Sequence, residues 1–180
     1  ELLISDNCST DGTSEICREL AARHPRIRYW RNEENIGVIK NFRLVLERAQ
    51  GKYFMWAAHD DRWNQQYVEL LLGKIEEHPD AVLATPTTFY LDDHGRFAPA
   101  KPDRAAPGDS RAENLKVIYE DGNGSWLYGV FRTRWLQSHI DELYQYPLWG
   151  GDVVWLIDIA QRFEVVGHQE AFFFKRKQRT

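Results

Sequence analysis

The sequence predicts an α/β fold built on a largely parallel sheet. Three observations carry that expectation. Apolar runs alternate with stretches of helical periodicity, in the order strand, helix, strand, helix, strand over residues 1–58, which is the spacing of βαβ units. The first run, Leu2-Leu3-Ile4, is apolar at every position, as in strands covered on both faces. Acids follow the strands, Asp6 and Asp11 after the first and Asp60 and Asp61 after the third. The carboxyl ends of strands in an open α/β sheet are where ligands bind.

The elements follow in order. The first strand ends at Ser5-Asp6-Asn7, and residues 8–13 form a polar loop whose Ser and Thr are placed to cap the next helix. Ile16 and Leu20, with Cys17 and Ala21, are expected to form that helix's inner face. Ile27 to Trp30 reads as the second strand and residues 31–37 as a loop. A helix over residues 38–49 carries Val38, Phe42, Val45 and Ala49 on one stripe, with Ile39 and Leu46 beside it. Gly51 breaks it, and residues 53–58 form a third strand that delivers Asp60 and Asp61 to a sheet edge.

Asn64 is placed to cap a helix with Tyr67, Leu71 and Ile75 inward. Ala81–Leu91 is a strand whose Pro86 marks an edge or a bulge. Asp92 and Asp93, before His94 and Gly95, read as turn chemistry rather than a metal site. Residues 97–111 lack periodicity and are expected as a loop crossing the site. A helix over residues 112–119 comes next, then a glycine-punctuated turn, a strand over 126–131 and a short helix over 132–140. An aromatic, glycine-rich loop leads to Asp152, which opens an apolar helix. Val165-Val166 and residues 171–174 are late strands before a basic tail.

Composition sets the bounds. A chain of 180 residues favours one domain. Its net charge of −4 gives no positive field for nucleic acid. Cys8 and Cys17 make neither a disulfide scaffold nor a metal set, and they fit a reducing compartment. No apolar run reaches membrane-spanning length. There is no GxxxxGK[ST], GxGxxG or GxSxG, so the P-loop, the dinucleotide fingerprint and the common hydrolase nucleophile are absent. Carboxylates at strand ends are suited to binding a ribose or base, or to holding Mg²⁺ or Mn²⁺ shared with substrate phosphates. Trp126, Tyr128 and Trp149 suggest an aromatic surface in the second half of the chain, whereas Trp155 reads as core.

Five blocks, ELLISDNCSTDGT, NEENIGVIKNF, GKYFMWAAHDD, YGVFR and WGGDVVWL, stand in this order along the chain. Together they resemble the signature blocks of family 2 glycosyltransferases with the GT-A fold. The resemblance implies a Rossmann-like three-layer α/β/α sandwich with a mostly parallel central sheet. It implies one domain over residues 1–180, with residues 1–91 as the nucleotide-sugar half and 92–180 as the acceptor half. The family's first strand and helix would precede Glu1. The implied activity is inverting, metal-assisted transfer of a sugar from a UDP- or dTDP-sugar to a saccharide or lipid-linked hydroxyl. The implied setting is the cytoplasm, with peripheral association at a membrane face left open.

Residue by residue, Asp6 resembles the acid that contacts the donor's base, and Asp11 the acid of the SxxDGT turn. Asn35, Gly37 and Asn41 resemble the loop and helix start beside the nucleotide. Ala58-His59-Asp60 falls on the DXD metal motif. Asp60 is then the ligand of Mn²⁺ or Mg²⁺, Asp61 its neighbour, and Ala58 a departure at the first acid. Asp152 resembles the general base, and its alternative reading is a helix N-cap. Two other functions remain open at this point: a sugar nucleotidyltransferase, and a nucleotide-sugar-binding domain with impaired chemistry.

Overall fold

The computed structural model describes residues 1–91, 108–121, 124–146 and 150–176. Trp149, the turn at residues 92–96 and most of the loop expected from Phe97 lie outside them. The chain forms two compact units, Glu1–Phe54 and Met55–Thr180.

In the first unit, β1 (Leu2–Asp6) and β2 (Ile27–Arg31) pair in parallel, with Leu2 opposite Ile27 and Asp6 opposite Arg31. They are joined by α1 (Thr13–Arg23), a βαβ unit as the spacing predicts. The inner face of α1 is the expected one at Cys17, which is buried, and at Leu20 and Ala21, which are half-buried, but Ile16 is 60% exposed and Ser14 is buried instead. The Ser14 hydroxyl donates to the buried carboxylate of Asp6 at 2.8 Å, which gives this polar side chain a partner inside. After β2 comes α2 (Val38–Arg48), of which Leu46 is fully buried and Val38 and Ile39 in the first turn are exposed. The unit ends in β3 (Tyr53–Phe54), shorter than the strand expected over 53–58.

The second unit holds β4 (Arg62–Trp63), α3 (Tyr67–Glu77), β5 (Ala81–Leu91), α4 (Arg111–Asp121), a 3-10 helix (Ser125–Tyr128), β6 (Val130–Arg132), α5 (Thr133–Leu143), α6 (Gly151–Arg162) and β7 (Glu164–Arg176). Its strands lie in the order β6-β5-β7-β4. The sheet is mixed, which corrects the expected mostly parallel one: β5 and β7 run parallel, whereas β6 and β4 are antiparallel to their neighbours. Pro86 sits at a register shift against β7. That strand is internal, so the missing N–H is absorbed by a bulge rather than at an edge. The two late strands are one long β7. Because β5 pairs along β7, residues 81–91 belong with the later part of the chain.

The strand expected over 126–131 is also corrected. Gly124 is left-handed, and the backbone closes a 3-10 turn in which Leu127 N–H donates to Gly124 C=O at 3.0 Å. Only after Gly129 does β6 begin. The core gathers Tyr67, Leu71 and Ile75 of α3, Leu83 of β5, Phe131 of β6, and Trp155, Leu156 and Ile159 of α6, all nearly without exposed surface. Trp155 is core, as its apolar helix predicts. Among the described residues no helix is long and apolar enough to cross a membrane.

Candidate active site

Asp6 closes β1 and organises the loop behind it. Its Oδ1 accepts the Ser9 N–H at 2.8 Å, and its Oδ2 accepts the Ser14 hydroxyl at 2.8 Å and the Tyr29 hydroxyl at 2.9 Å. Arg31 Nε lies 3.5 Å from Oδ2, placed there by the parallel register. Burial opposes ionisation, but these donors outweigh it and hold the carboxyl well below the usual range. The side chain has no exposed surface. A direct contact with a nucleotide base, which the resemblance implies for Asp6, is therefore not open to it in this structure. Its carboxylate instead fixes the loop from Asn7 to Thr13.

That loop carries Asp11, whose exposed Oδ1 accepts the Thr13 hydroxyl at 2.5 Å and the Thr13 N–H at 3.0 Å. These bonds hold Asp11 below its ordinary value, the hydroxyl first. Thr13 N–H is one of the free donors of the first turn of α1, so Asp11 caps the helix from one residue before Gly12, in place of the Ser and Thr expected.

Asn35, Gly37 and Asn41 do come together, through residues that the sequence did not single out. Asn7 donates to Asn35 Oδ1 at 2.8 Å, and its own Oδ1 accepts the Asn32 amide and the Ile36 N–H, both at 3.0 Å. Asn35 Oδ1 also takes the Gly37 N–H at 3.0 Å. Asn41 Oδ1 accepts the Ser5 hydroxyl at 2.6 Å and the Asn32 amide at 3.0 Å. One amide network thus ties the ends of β1 and β2 to the start of α2. The readable signal was the cluster of short amides at strand ends; the pairing needed the register of β1 with β2.

Asp6→Asn is expected to destabilise the protein by about 2 kcal/mol, because an amide offers one acceptor oxygen where the carboxylate uses both. The pH dependence has a definite sign. The unfolded carboxyl titrates near ~3.9, and the folded one titrates below that. Its stabilisation is therefore full above ~4 and is lost as pH falls. Thermal unfolding from neutral to acid pH should show the difference between wild type and Asp6→Asn shrinking on the acid side. A constant difference would show that the charge of Asp6 contributes nothing.

The second unit holds the acids of the expected metal motif. Strand structure stops at Phe54, and His59 and Asp60 form a turn before β4. Asp61 Oδ1 accepts the Arg176 N–H at 3.1 Å. Burial raises the Asp61 pKa; the Arg176 bond works against that, and the charge of Asp60 adds to it. Asn64 is not the helix cap expected: its side chain clamps β7, donating to Glu170 C=O at 2.9 Å and accepting Phe172 N–H at 3.0 Å. Gln66 takes the cap position.

Tyr128 marks where the acids converge. Its ring stacks on Phe173 with centroids 5.0 Å apart, and its carbonyl accepts the buried Tyr67 hydroxyl at 2.9 Å. Its hydroxyl is pushed up to about 12, by burial first and then by the charges of Asp61, Asp60 and Asp152. Trp126, expected on an aromatic surface, is only 4% exposed and packs inside. Asp152 lies in the first turn of α6, and Gly150, left-handed at φ +87°, holds the N-cap position. The N-cap reading of Asp152 is thereby corrected. Among the described residues no group of three or more His, Cys, Asp or Glu is arranged as a metal cage.

Comparison with known proteins agrees with this architecture. Over almost its whole length the chain is similar to the crystal structure of Staphylococcus aureus TarS residues 1–349, with a TM-score of 0.72 at 20% identity, covering 98% of this chain and 51% of that one. The same protein in complex with UDP-GlcNAc gives a TM-score of 0.71 at 19% identity, covering 100% of this chain and 50% of that one. In sequence, the chain is 39% identical over 93 residues to the putative teichuronic acid biosynthesis glycosyltransferase TuaG of Bacillus subtilis, covering 52% of this chain and 37% of TuaG. The chain thus spans about half the TarS structure and a little over a third of TuaG. The profile of Glycosyl transferase family 2 matches residues 1–139. The chain belongs to glycosyl transferase family 2.

Proposed function

We propose that this chain carries out inverting, metal-assisted transfer of a sugar from a UDP-sugar to a hydroxyl of a saccharide or lipid-linked acceptor. The observation that carries the reading is that the charges of Asp61, Asp60 and Asp152 all act on the Tyr128 hydroxyl, with Asp152 in the first turn of a helix whose inner face is buried. The UDP-GlcNAc bound by TarS supports a UDP-sugar donor, and the name of TuaG supports a saccharide polymer as product.

The acceptor oxygen attacks the anomeric carbon from the side opposite the nucleotide. The bond from that carbon to the diphosphate oxygen breaks, and UDP leaves with the electron pair. Asp152 takes the acceptor's proton. Asp60 and Asp61 are fit to hold Mn²⁺ or Mg²⁺: both present hard oxygen donors, and the crowding of like charge at Asp61 is what a cation relieves. A pair rather than a cage suits an ion that completes its shell with water and substrate phosphates. Held there, such an ion would supply positive charge to offset that on the diphosphate. Asn35, Gly37 and Asn41 are assigned to the nucleoside side, with Asn7 and Asp6 fixing their loop. On the acceptor side, the half-buried Tyr128 is assigned to the site.

The test is a screen of the full-length protein with Mn²⁺ against UDP- and dTDP-sugars and saccharide acceptors, reading UDP or dTDP release. Release that depends on acceptor and metal is the expected result. Pyrophosphate release from a nucleoside triphosphate and a sugar 1-phosphate would instead make it a nucleotidyltransferase.

A further inference from the structure

Nothing polar among the described residues fixes the carboxylate of Asp152: it has no hydrogen bond and no ion pair there. General-base chemistry requires a fixed oxygen, because a displacement of about 1 Å costs up to 10²-fold in rate. The helix fixes the backbone of Asp152, since Trp155, Leu156 and Ile159 are buried. What remains is the side-chain rotation, and one neighbour limits it. Gly124, just before the 3-10 helix, approaches so closely that a Cβ on it would stand 2.1 Å from Asp152 Oδ2 and 2.8 Å from its Cγ. Real carbons do not come that near. The carboxylate occupies the space where any other residue carries its first side-chain atom.

We propose that Gly124 is a positioning residue for transfer: its bare Cα is the seat against which the Asp152 carboxylate rests. A side chain at 124 turns that carboxylate away without displacing backbone, because the colliding atoms are the far end of a short, rotatable side chain. The local backbone is also left-handed, at φ +61°, so glycine is favoured there on two separate grounds. The inference rests on Asp152 as the general base.

The experiment separates these grounds. Gly124→Ala and Gly124→Asn place the same Cβ against Asp152, but asparagine tolerates the left-handed backbone far better. Both are expected to keep UDP affinity by calorimetry and to lower turnover, read as UDP release from the donor selected by the screen, by at least about tenfold. Recovery in Gly124→Asn would assign the loss to backbone strain and overturn the proposal. So would wild-type turnover in Gly124→Ala. In the Asp152→Asn background, Gly124→Ala should cost nothing more, because residues acting through one group are not additive. A further equal loss there would show that Gly124 acts elsewhere. If Asp152→Asn alone turned over like wild type, the base assignment itself would fail, which is a separate outcome from failure of the seat.

Discussion

Asp152→Asn is expected to cut transfer by about 100-fold or more while leaving the fold and UDP affinity intact. The expectation follows from where the residue stands. Gly150 occupies the N-cap position of α6, and its carbonyl accepts the Val153 N–H at 3.0 Å and the Val154 N–H at 3.3 Å. The helix therefore starts without help from the Asp152 side chain. No hydrogen bond or ion pair among the described residues breaks when the carboxylate becomes an amide. The amide is nearly isosteric, so it fits the same space against Gly124. What is lost is the carboxylate's basicity and its charge. Turnover and the UDP dissociation constant should then separate, the first falling and the second unchanged. Turnover near wild type would remove Asp152 from the chemistry. A joint loss of binding and thermal stability would make it a structural residue.

The elements that the sequence reveals are those set by local pattern. The strand Ala81–Leu91 and the helix starting at Val38 are found where periodicity puts them. Both are decided by runs of ten or so residues, with glycine or proline as punctuation. The misreadings arise where a distant partner decides. Ile16 looks inward by spacing but is exposed, whereas Ser14 is buried on a bond to Asp6, a residue of another element. Asn64 looks like a cap and is a clamp on β7, more than a hundred residues later. Residues 126–131 have strand composition, yet the left-handed Gly124 opens a 3-10 turn first. The candidate site divides in the same way. Acids at strand and helix ends were legible at Asp6, Asp11 and Asp152, whereas Asp60 stands in a turn well past the end of β3. That Asp6 is internally consumed was not, because Tyr29 and Arg31 reach it through the register of a parallel pair. The crowding of Asp60, Asp61 and Asp152 on Tyr128 requires the folded second unit and has no sequence signal.

Asp60→Asn is expected to abolish the Mn²⁺-dependent part of UDP binding and to leave metal-free uridine binding unchanged. Asp60 has no hydrogen bond or ion pair among the described residues, so both of its oxygens are open to a cation. Asp61 has already given one oxygen to the Arg176 N–H. Losing Asp60 thus removes the freer of two carboxylates and half of the local charge, while a single monodentate oxygen is a poor site for a hard divalent ion. A second consequence is independent of catalysis. The charge of Asp60 helps to raise the Asp61 pKa, so the substitution must lower it, and carboxyl NMR titration reads that directly. The pH dependence follows the same logic. A raised Asp61 takes up its proton earlier as pH falls, so Mn²⁺ affinity should begin to weaken above the ordinary carboxyl value of about 3.9. In Asp60→Asn that onset moves to lower pH. Calorimetry with UDP in the presence and absence of Mn²⁺, and with uridine as control, checks the binding claim. If Asp61 titrates lower but the Mn²⁺-dependent affinity survives, the two acids are coupled as the structure shows and the metal is held elsewhere. If neither changes, Asp60 lies outside the site.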